Sequence, residues 1–303
     1  MTKIVFFGSE DISFTALEAL ITSGFSVAAV ITKPDSPSGR GQKIMHSKIK
    51  AYALERNIPV WQPNKVAELA NHIAELGKPV GVLVSYGKII PQSIISLFDP
   101  GIINIHPSLL PIYRGPSPVE AAILNGDTKT GVSIMQLNAE MDAGPIYHQT
   151  SISLDGSETG PDLLEKLGTI GAHELVKDLP NILSGSLKPQ PQDNVHASYC
   201  HLIQKTDGII DWNKPAIQLE REIRAYRGWP QSRTVLSSID VILTEASVSK
   251  VKIPSIGQIV IEKNRLFIGT EADSLEIHTI KPFGKKEMPI SAFLAGYRNR
   301  LKT

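Results

Sequence analysis

The sequence predicts an α/β protein of two domains: a mostly parallel sheet with helices on both faces, followed by a smaller β-rich domain. Three observations carry that reading. Over the first half of the 303 residues, apolar β-branched runs of strand length alternate with segments of helical periodicity. A breaker-rich stretch, SGSLKPQPQDN, then interrupts the pattern. The tail beyond it holds short β-type runs separated by turn signals. The length suits about two domains at roughly 100–200 residues each.

The elements follow in order. KIVFFG is a first strand, and DISFTALEALITSG a helix with apolar spacing at Phe14, Leu17, Leu20 and Ile21 and a stop at Gly24. FSVAAVIT is a second strand, and the long loop KPDSPSGRGQKIMHS leads to the helix KIKAYALERN. IPVWQP is a short strand, and NKVAELANHIAELG a helix with Asn64 expected as its N-cap. PVGVLVSYG is an apolar strand, PQSIISLF a short helix with Pro91 near its start, and GIINIH a further strand. Continuous apolar strands alternating with helices are the pattern of a parallel sheet covered on both faces. TGVSIMQL and AGPIYHQTSISL, joined by NAEMDAG, read as a hairpin, which makes one side of the sheet mixed. TGPDLLEKLGTIGAHELVKDLPNIL closes the domain as a helix with Pro161 in its first turn. The expected boundaries are 1–189 for this Rossmann-like domain, 190–205 for a linker, and 206–303 for a β-barrel-like (OB-like) domain built from runs such as SVSKVKI, GQIVIEKNRLFIGT and SLEIHTI.

Composition is that of an ordinary globular chain, 42% hydrophobic and 20% charged. No apolar run reaches the ~20 residues of a spanning helix, so no membrane partner is expected. The start, MTKIVFFG, has neither a signal-peptide core nor an Arg-rich presequence. A single cysteine, Cys200, excludes a disulfide framework and a thiolate metal cluster, and suits a reducing cytoplasm. A monomer is expected, and separately no bound metal, the latter because the eight histidines are scattered and none pairs with acids at ligand spacing. The net charge of +1 is unevenly spread: residues 206–303 hold 15 Lys+Arg against 11 Asp+Glu, and the remainder 16 against 19. A polyanion partner and a solvated basic face both account for that balance.

In open α/β sheets, ligands bind beyond the carboxyl ends of the strands. The first such loop, FFGSED, has one glycine, Gly8, and no G-x-G-x-x-G, which argues against a dinucleotide. GRGQK lacks P-loop spacing, which argues against nucleoside triphosphate hydrolysis. VSYG, with Val84, Tyr86 and Gly87, is either a plain strand-to-helix turn or a place where a flat ligand meets the backbone. In GIINIHPSLLPIYRGPSP, residues i and i+2 of the strand share a face, so Asn104 and His106 point one way and Ile103 and Ile105 the other. An amide and an imidazole so placed either bond each other's surroundings structurally or donate to an oxygen gaining negative charge; the histidine also moves protons near neutral pH. LNAEMDAGPIY offers an acid, Glu140 or Asp142. Asp142 is either a turn residue or the group that orients the imidazole and helps accept a proton.

NIHPSLLPIYRG followed by EMDAGPI closely resembles the 10-formyltetrahydrofolate-dependent formyltransferases, as do FFGSEDIS and KPDSPSGRGQK, so the likeness spans most of residues 1–190. It implies that Asn104, His106 and Asp142 are catalytic. It implies that Ser108, Leu109, Leu110 and Pro111 form the folate-binding loop, with Val84, Tyr86 and Gly87 beside it and 10-formyltetrahydrofolate as formyl donor. DGIIDWNKPAIQLEREIRAYRGWP and KPFGKKEMPISAFLAG resemble the second domain of members that act on methionyl-tRNA. The implied acceptor is therefore the α-amine of initiator methionyl-tRNA, and the implied process translation initiation. Members that formylate glycinamide ribonucleotide share the strand-end motif but lack this extension. Pro107, where glycine or alanine is frequent, and Tyr113, where Trp is frequent, depart from the commonest pattern without removing a catalytic atom. The resemblance gives the loop from Lys33 to Lys50 the grip on tRNA, through Arg40 with Lys33 and Lys43. Arg224, Arg227, Lys285 and Lys286 are expected to add backbone contacts. Two other readings stay open: a sugar-nucleotide amine as acceptor, and an RNA- or folate-binding module without chemistry.

Overall fold

The computed structural model describes residues 2–35, 37–38, 43–44 and 46–302. In chain order the first elements are β1 (Lys3–Gly8), α1 (Asp11–Thr22), β2 (Ser26–Ile31), the two-residue pair β3 (Pro37–Ser38) and β4 (Lys43–Ile44), α2 (Lys48–Glu55) and β5 (Val60–Trp61). They continue with α3 (Ala70–Glu75), β6 (Val80–Val84), α4 (Gln92–Ile95), β7 (Ile102–His106), α5 (Pro118–Asn125), β8 (Lys129–Gln136), β9 (Ile146–Ser153) and α6 (Gly160–Leu183). The C-terminal third holds α7 (Ala216–Ala225), β10 (Ser232–Leu236), β11 (Ile239–Ser249), β12 (Ile259–Glu262), β13 (Arg265–Gly269), β14 (Ser274–Pro282), β15 (Met288–Pro289) and α8 (Ile290–Tyr297).

Seven strands form one mixed sheet in the order β5-β2-β1-β6-β7-β8-β9. β5, β2, β1, β6 and β7 run parallel, and β8 is antiparallel to β7. Gln136 N–H donates to the Pro145 carbonyl and Leu154 N–H to the Thr128 carbonyl, so β8 and β9 make the expected hairpin. Strand order reverses between β1 and β6, the kind of point at whose carboxyl ends open α/β sheets take their ligands. Val5, Phe7, Ile31 and Ile102 bury one face with Ile73, Ile94 and Phe98. The other face approaches α6 so closely that a Cβ on Gly171 would collide with Ile105 Cγ2. The helix expected to start at Asn64 instead begins as a 3₁₀ turn at Val66–Leu69 and turns α-helical only at Ala70. Lys65 N–H is taken by Glu68 Oε1, so Asn64 is not its cap.

The second sheet is antiparallel, in the order β10-β11-β14-β13-β12 with β15 on β14. Register shifts around Glu245 mark bulges in the long β11, which bend a strand and raise its twist. Leu219 and Ile223 of α7 and Phe293 and Leu294 of α8 close its core with Leu243, Leu266, Ile268 and Ile277. Two compact units emerge: Met1–Pro118, Lys129–Ile152 and Leu164–Cys200 form one, and Val119–Thr128, Ser153–Leu163 and His201–Thr303 the other. Residues 190–200, read from sequence as connector, thus pack within the first unit. No helix among the described residues is long and apolar enough to cross a membrane.

Replacing Gly171 by Val should overpack the contact with Ile105 and destabilise the protein by roughly 1–3 kcal/mol; denaturant unfolding measures it, and an unchanged midpoint would refute the close approach.

Candidate active site

β7 delivers Asn104 and His106 to one face at its carboxyl end, opposite Met135 and Ser133 of β8. Both are buried, at 5% and 4% exposure. No described group takes a hydrogen bond from the Asn104 amide, which leaves its two N–H donors for a ligand. His106 Nε2 lies 2.9 Å from the Tyr113 carbonyl oxygen. That oxygen only accepts, so Nε2 carries a proton. Nδ1 faces Asp142 Oδ2 at 3.7 Å. This is looser than a hydrogen bond, a spacing common at catalytic pairs before substrate binds. The same carboxylate oxygen accepts the Gly115 N–H at 2.8 Å. Glu140, the other acid on that loop, is exposed. The structure therefore brings together Asn104, His106 and Asp142 from β7 and the β8–β9 hairpin.

The Ser108–Pro111 loop is held by a saturated hydroxyl. Ser133 Oγ donates to the Ser108 carbonyl at 2.7 Å and accepts from Leu110 N–H at 3.1 Å and Gln149 Nε2 at 2.9 Å. Ser108 Oγ itself donates to the Ile112 carbonyl at 2.6 Å. The side chains of Ser108 and Leu110 are buried, so they shape the loop from beneath. Leu109 and Pro111 are half-buried, and Pro111 lines a groove with Tyr147 and His148.

Val84 and Gly87 end at the strand-order reversal, and Ser85 Oγ donates to Glu10 Oε2 at 2.6 Å across it. The Tyr86 ring is fully buried, edge-on to Phe7 with centroids 5.7 Å apart. Burial pushes its phenol up to about 12. Only its backbone is left to meet a ligand. Gly87 adopts φ +70°, and a Cβ there would lie 2.6 Å from Lys33 Nζ. Lys33 therefore stands over the Val84–Gly87 turn.

Arg40 lies outside the described residues, as does the side chain of Lys43. The near end of their loop is anchored: Asp35 accepts from Lys50 Nζ at 2.5 Å and Gln62 Nε2 at 3.0 Å, and Gln62 also donates to the Lys33 carbonyl. In the second unit, Arg224 is committed to Glu220, at 2.5 and 3.0 Å, and to the Glu158 carbonyl, so it is no free phosphate contact. Arg227 is drawn to the Thr244 carbonyl and Glu287. Lys285 and Lys286 are exposed.

One cluster departs from the expectation that no histidine pairs with acids at ligand spacing. His148 Nδ1 is 3.3 Å from Asp178 Oδ2, and its Nε2 is 3.6 Å from Glu174 Oε2. The partners come from β9 and α6, so sequence spacing hid them. A hydrogen bond from Lys177 holds the Glu174 carboxyl below its usual range. Opposite ring nitrogens face different carboxylates, and Nε2 also lies 3.1 Å from Thr150 Oγ1.

Hydrogen bonds from Lys50 and Gln62 hold the Asp35 carboxyl down at about 2. A depressed carboxyl contributes stability above its unfolded value and loses it as pH falls through the folded one. The loop anchor should thus survive at about pH 4 and be lost toward about pH 2. An Asp35 carboxyl titration by NMR with an ordinary midpoint would refute the network.

Residues 2–179 match the family described as formyl transferase, and residues 202–298 its C-terminal domain. The chain is 38% identical to the methionyl-tRNA formyltransferase of Chloroflexus aurantiacus over 97% of this chain and 96% of that one. It is 35% identical to the enzyme of that name from Pseudoalteromonas translucida, over 97% and 94%. The fold is similar to that of an N-formyltransferase from Helicobacter canadensis solved with folinic acid and dTDP-3-aminofucose, with TM-score 0.70 at 19% identity over 95% of this chain and all of that one. With both of its parts matched and near-full-length relatives well above 30% identity, the chain belongs to the formyl transferase family.

Proposed function

We propose that this protein transfers the formyl group of 10-formyltetrahydrofolate to the α-amine of methionine on initiator tRNA. The observation that carries the chemistry is the convergence of Asn104, His106 and Asp142 at one strand end beside the strand-order reversal. Similarity along almost the whole chain to methionyl-tRNA formyltransferases supports the acceptor.

In this reading the folate enters the crevice between the β1 and β6 ends, against the Val84–Gly87 backbone and the Leu109–Pro111 loop. The neutral amine attacks the formyl carbon, and the carbonyl oxygen becomes negative in the tetrahedral intermediate. The Asn104 amide, without a partner among the described residues, donates to that oxygen. His106 supplies or relays a proton there, and Asp142 orients the ring and assists loss of the amine proton. N10 leaves with its electron pair as the carbonyl re-forms, and takes up a proton to give tetrahydrofolate. We assign this chemistry to the first unit. Backbone contacts to tRNA fall to the Lys33–Lys50 loop and to Lys285 and Lys286, in a cytoplasmic setting that the single cysteine suits.

Asn104→Ala should lower kcat by about 10²–10³-fold while leaving the fold intact, because one oxyanion donor is lost. Turnover of labelled 10-formyltetrahydrofolate with charged initiator tRNA measures it. Glycinamide ribonucleotide and a sugar-nucleotide amine serve as competing acceptors, and transfer to either in preference to methionyl-tRNA would sink the reading. Affinity for tRNA should fall steeply with salt, as phosphate-driven binding does; a flat dependence between low and moderate salt would contradict the assigned contacts.

A further inference from the structure

Asp142 has φ +49°, the left-handed region that costs a residue with a side chain. Within its own turn only two bonds act among the described residues, Ala143 N–H to the Glu140 carbonyl at a long 3.4 Å and Glu140 N–H to Asn138 Oδ1 at 3.1 Å, and the Met141 and Glu140 side chains are exposed. Two short bonds come from the segment that reads as a linker. Gln192 Nε2 donates to the Asp142 carbonyl and to the Gly144 carbonyl, both at 2.7 Å. Its Oε1 accepts from Arg114 Nε at 3.1 Å and Nη2 at 2.8 Å. A guanidinium only donates, so Arg114 fixes which end of the Gln192 amide faces the loop.

Arg114 is 2% exposed, and among the described residues no carboxylate pairs with it. Its other partners are neutral: Asn194 Oδ1 at 2.6 Å and the Tyr199 hydroxyl at 3.2 Å. A buried cation without an anion is costly, and here it is spent on orienting one amide. The residue after Arg114 is Gly115, whose N–H binds the Asp142 carboxylate. Gly115 has φ +117°, and a Cβ there would strike the Cys200 carbonyl of the same strap. Backbone and side chain of Arg114 thus converge on the two ends of Asp142.

We propose that residues 190–200 are a strap belonging to the catalytic centre, in which Gln192, oriented by Arg114, is a positioning residue that sets Asp142 against His106. The proposal rests on the functional reading above for its kinetic test, and on the fold alone for its second test.

Gln192→Glu keeps an acceptor for Arg114 but places a carboxylate against two carbonyl oxygens, and Gln192→Met removes both bonds. Each should lower kcat by about 10- to 100-fold, the cost of a misplacement near 1 Å, with KM for donor and tRNA within about threefold. In an Asp142→Asn background neither should slow turnover further, because both changes act through one group. Val195→Ser, at an 87% exposed position of the same strap, should match the unmodified protein. A folded Gln192→Glu with kcat within about threefold of normal, or losses that multiply with Asp142→Asn, would overturn the proposal. Amide exchange at Gly115 decides the matter without any acceptor. Protection should fall by at least about tenfold in Gln192→Glu and stay constant in Val195→Ser. Unchanged protection refutes the strap, whereas failure of the unmodified protein on every methionyl-tRNA refutes only the functional reading. If Gln192→Met does not fold, Gln192→Glu carries the test.

Discussion

Neighbouring side chains of an extended strand cannot share a face, and that rule divides β7. Ile103 and Ile105 go to the α6 side, where Gly171 makes room for the helix to lie close. Asn104 and His106 go to the other side, at the end of a strand buried in a seven-stranded sheet. A slip of one residue would bury the amide and imidazole beneath α6 and turn two isoleucines toward the crevice. The packing of α6 therefore fixes the register of the chemistry, and the pairing of β7 with β6 and β8 fixes its position.

Much of this was legible because the relevant information is local. Strand alternation put Asn104 and His106 on one face and the hairpin loop offered Glu140 or Asp142, while the resemblance to formyltransferases is what joined Asn104, His106 and Asp142 as one set. What escaped was non-local. Asn64 looked like an N-cap, but the chain chose a 3₁₀ turn closed by Glu68 on Lys65. Nothing local in VSYG shows that Phe7 holds the Tyr86 ring in the core. His148 gave no metal-like or acidic spacing, because Glu174 and Asp178 reach it from a helix further along the chain. The segment 190–205 was read as linker from its prolines and polar residues. Those same residues, Gln192, Asn194 and Ser198, are the hydrogen-bonding groups that bind it to the Tyr113–Gly115 turn.

Charge counting shows the same limit. The basic excess of the C-terminal third is real, but its arginines are unequal. Arg224 is spent on Glu220 and a carbonyl, whereas Lys285 and Lys286 stand in solvent. Net charge predicts a field around a domain; which cations are free to meet a phosphate depends on neighbours that only the fold supplies.

The three-segment construction of the second unit reaches beyond the site. Arg221 bonds the Asn125 carbonyl, Arg224 bonds the Glu158 carbonyl, and Gly160 has no side chain where it meets the Ala225 carbonyl. Residues 201–303 are thus stitched to two stretches that lie earlier in the chain. They are not a cassette that gene fusion could append or deletion remove cleanly at one junction. A chain ended after Cys200 would keep Val119–Thr128 and Ser153–Leu163 as orphans without the helix they were shaped to meet. A deletion of residues 201–303 would therefore strand two of the three segments from which this second unit is built.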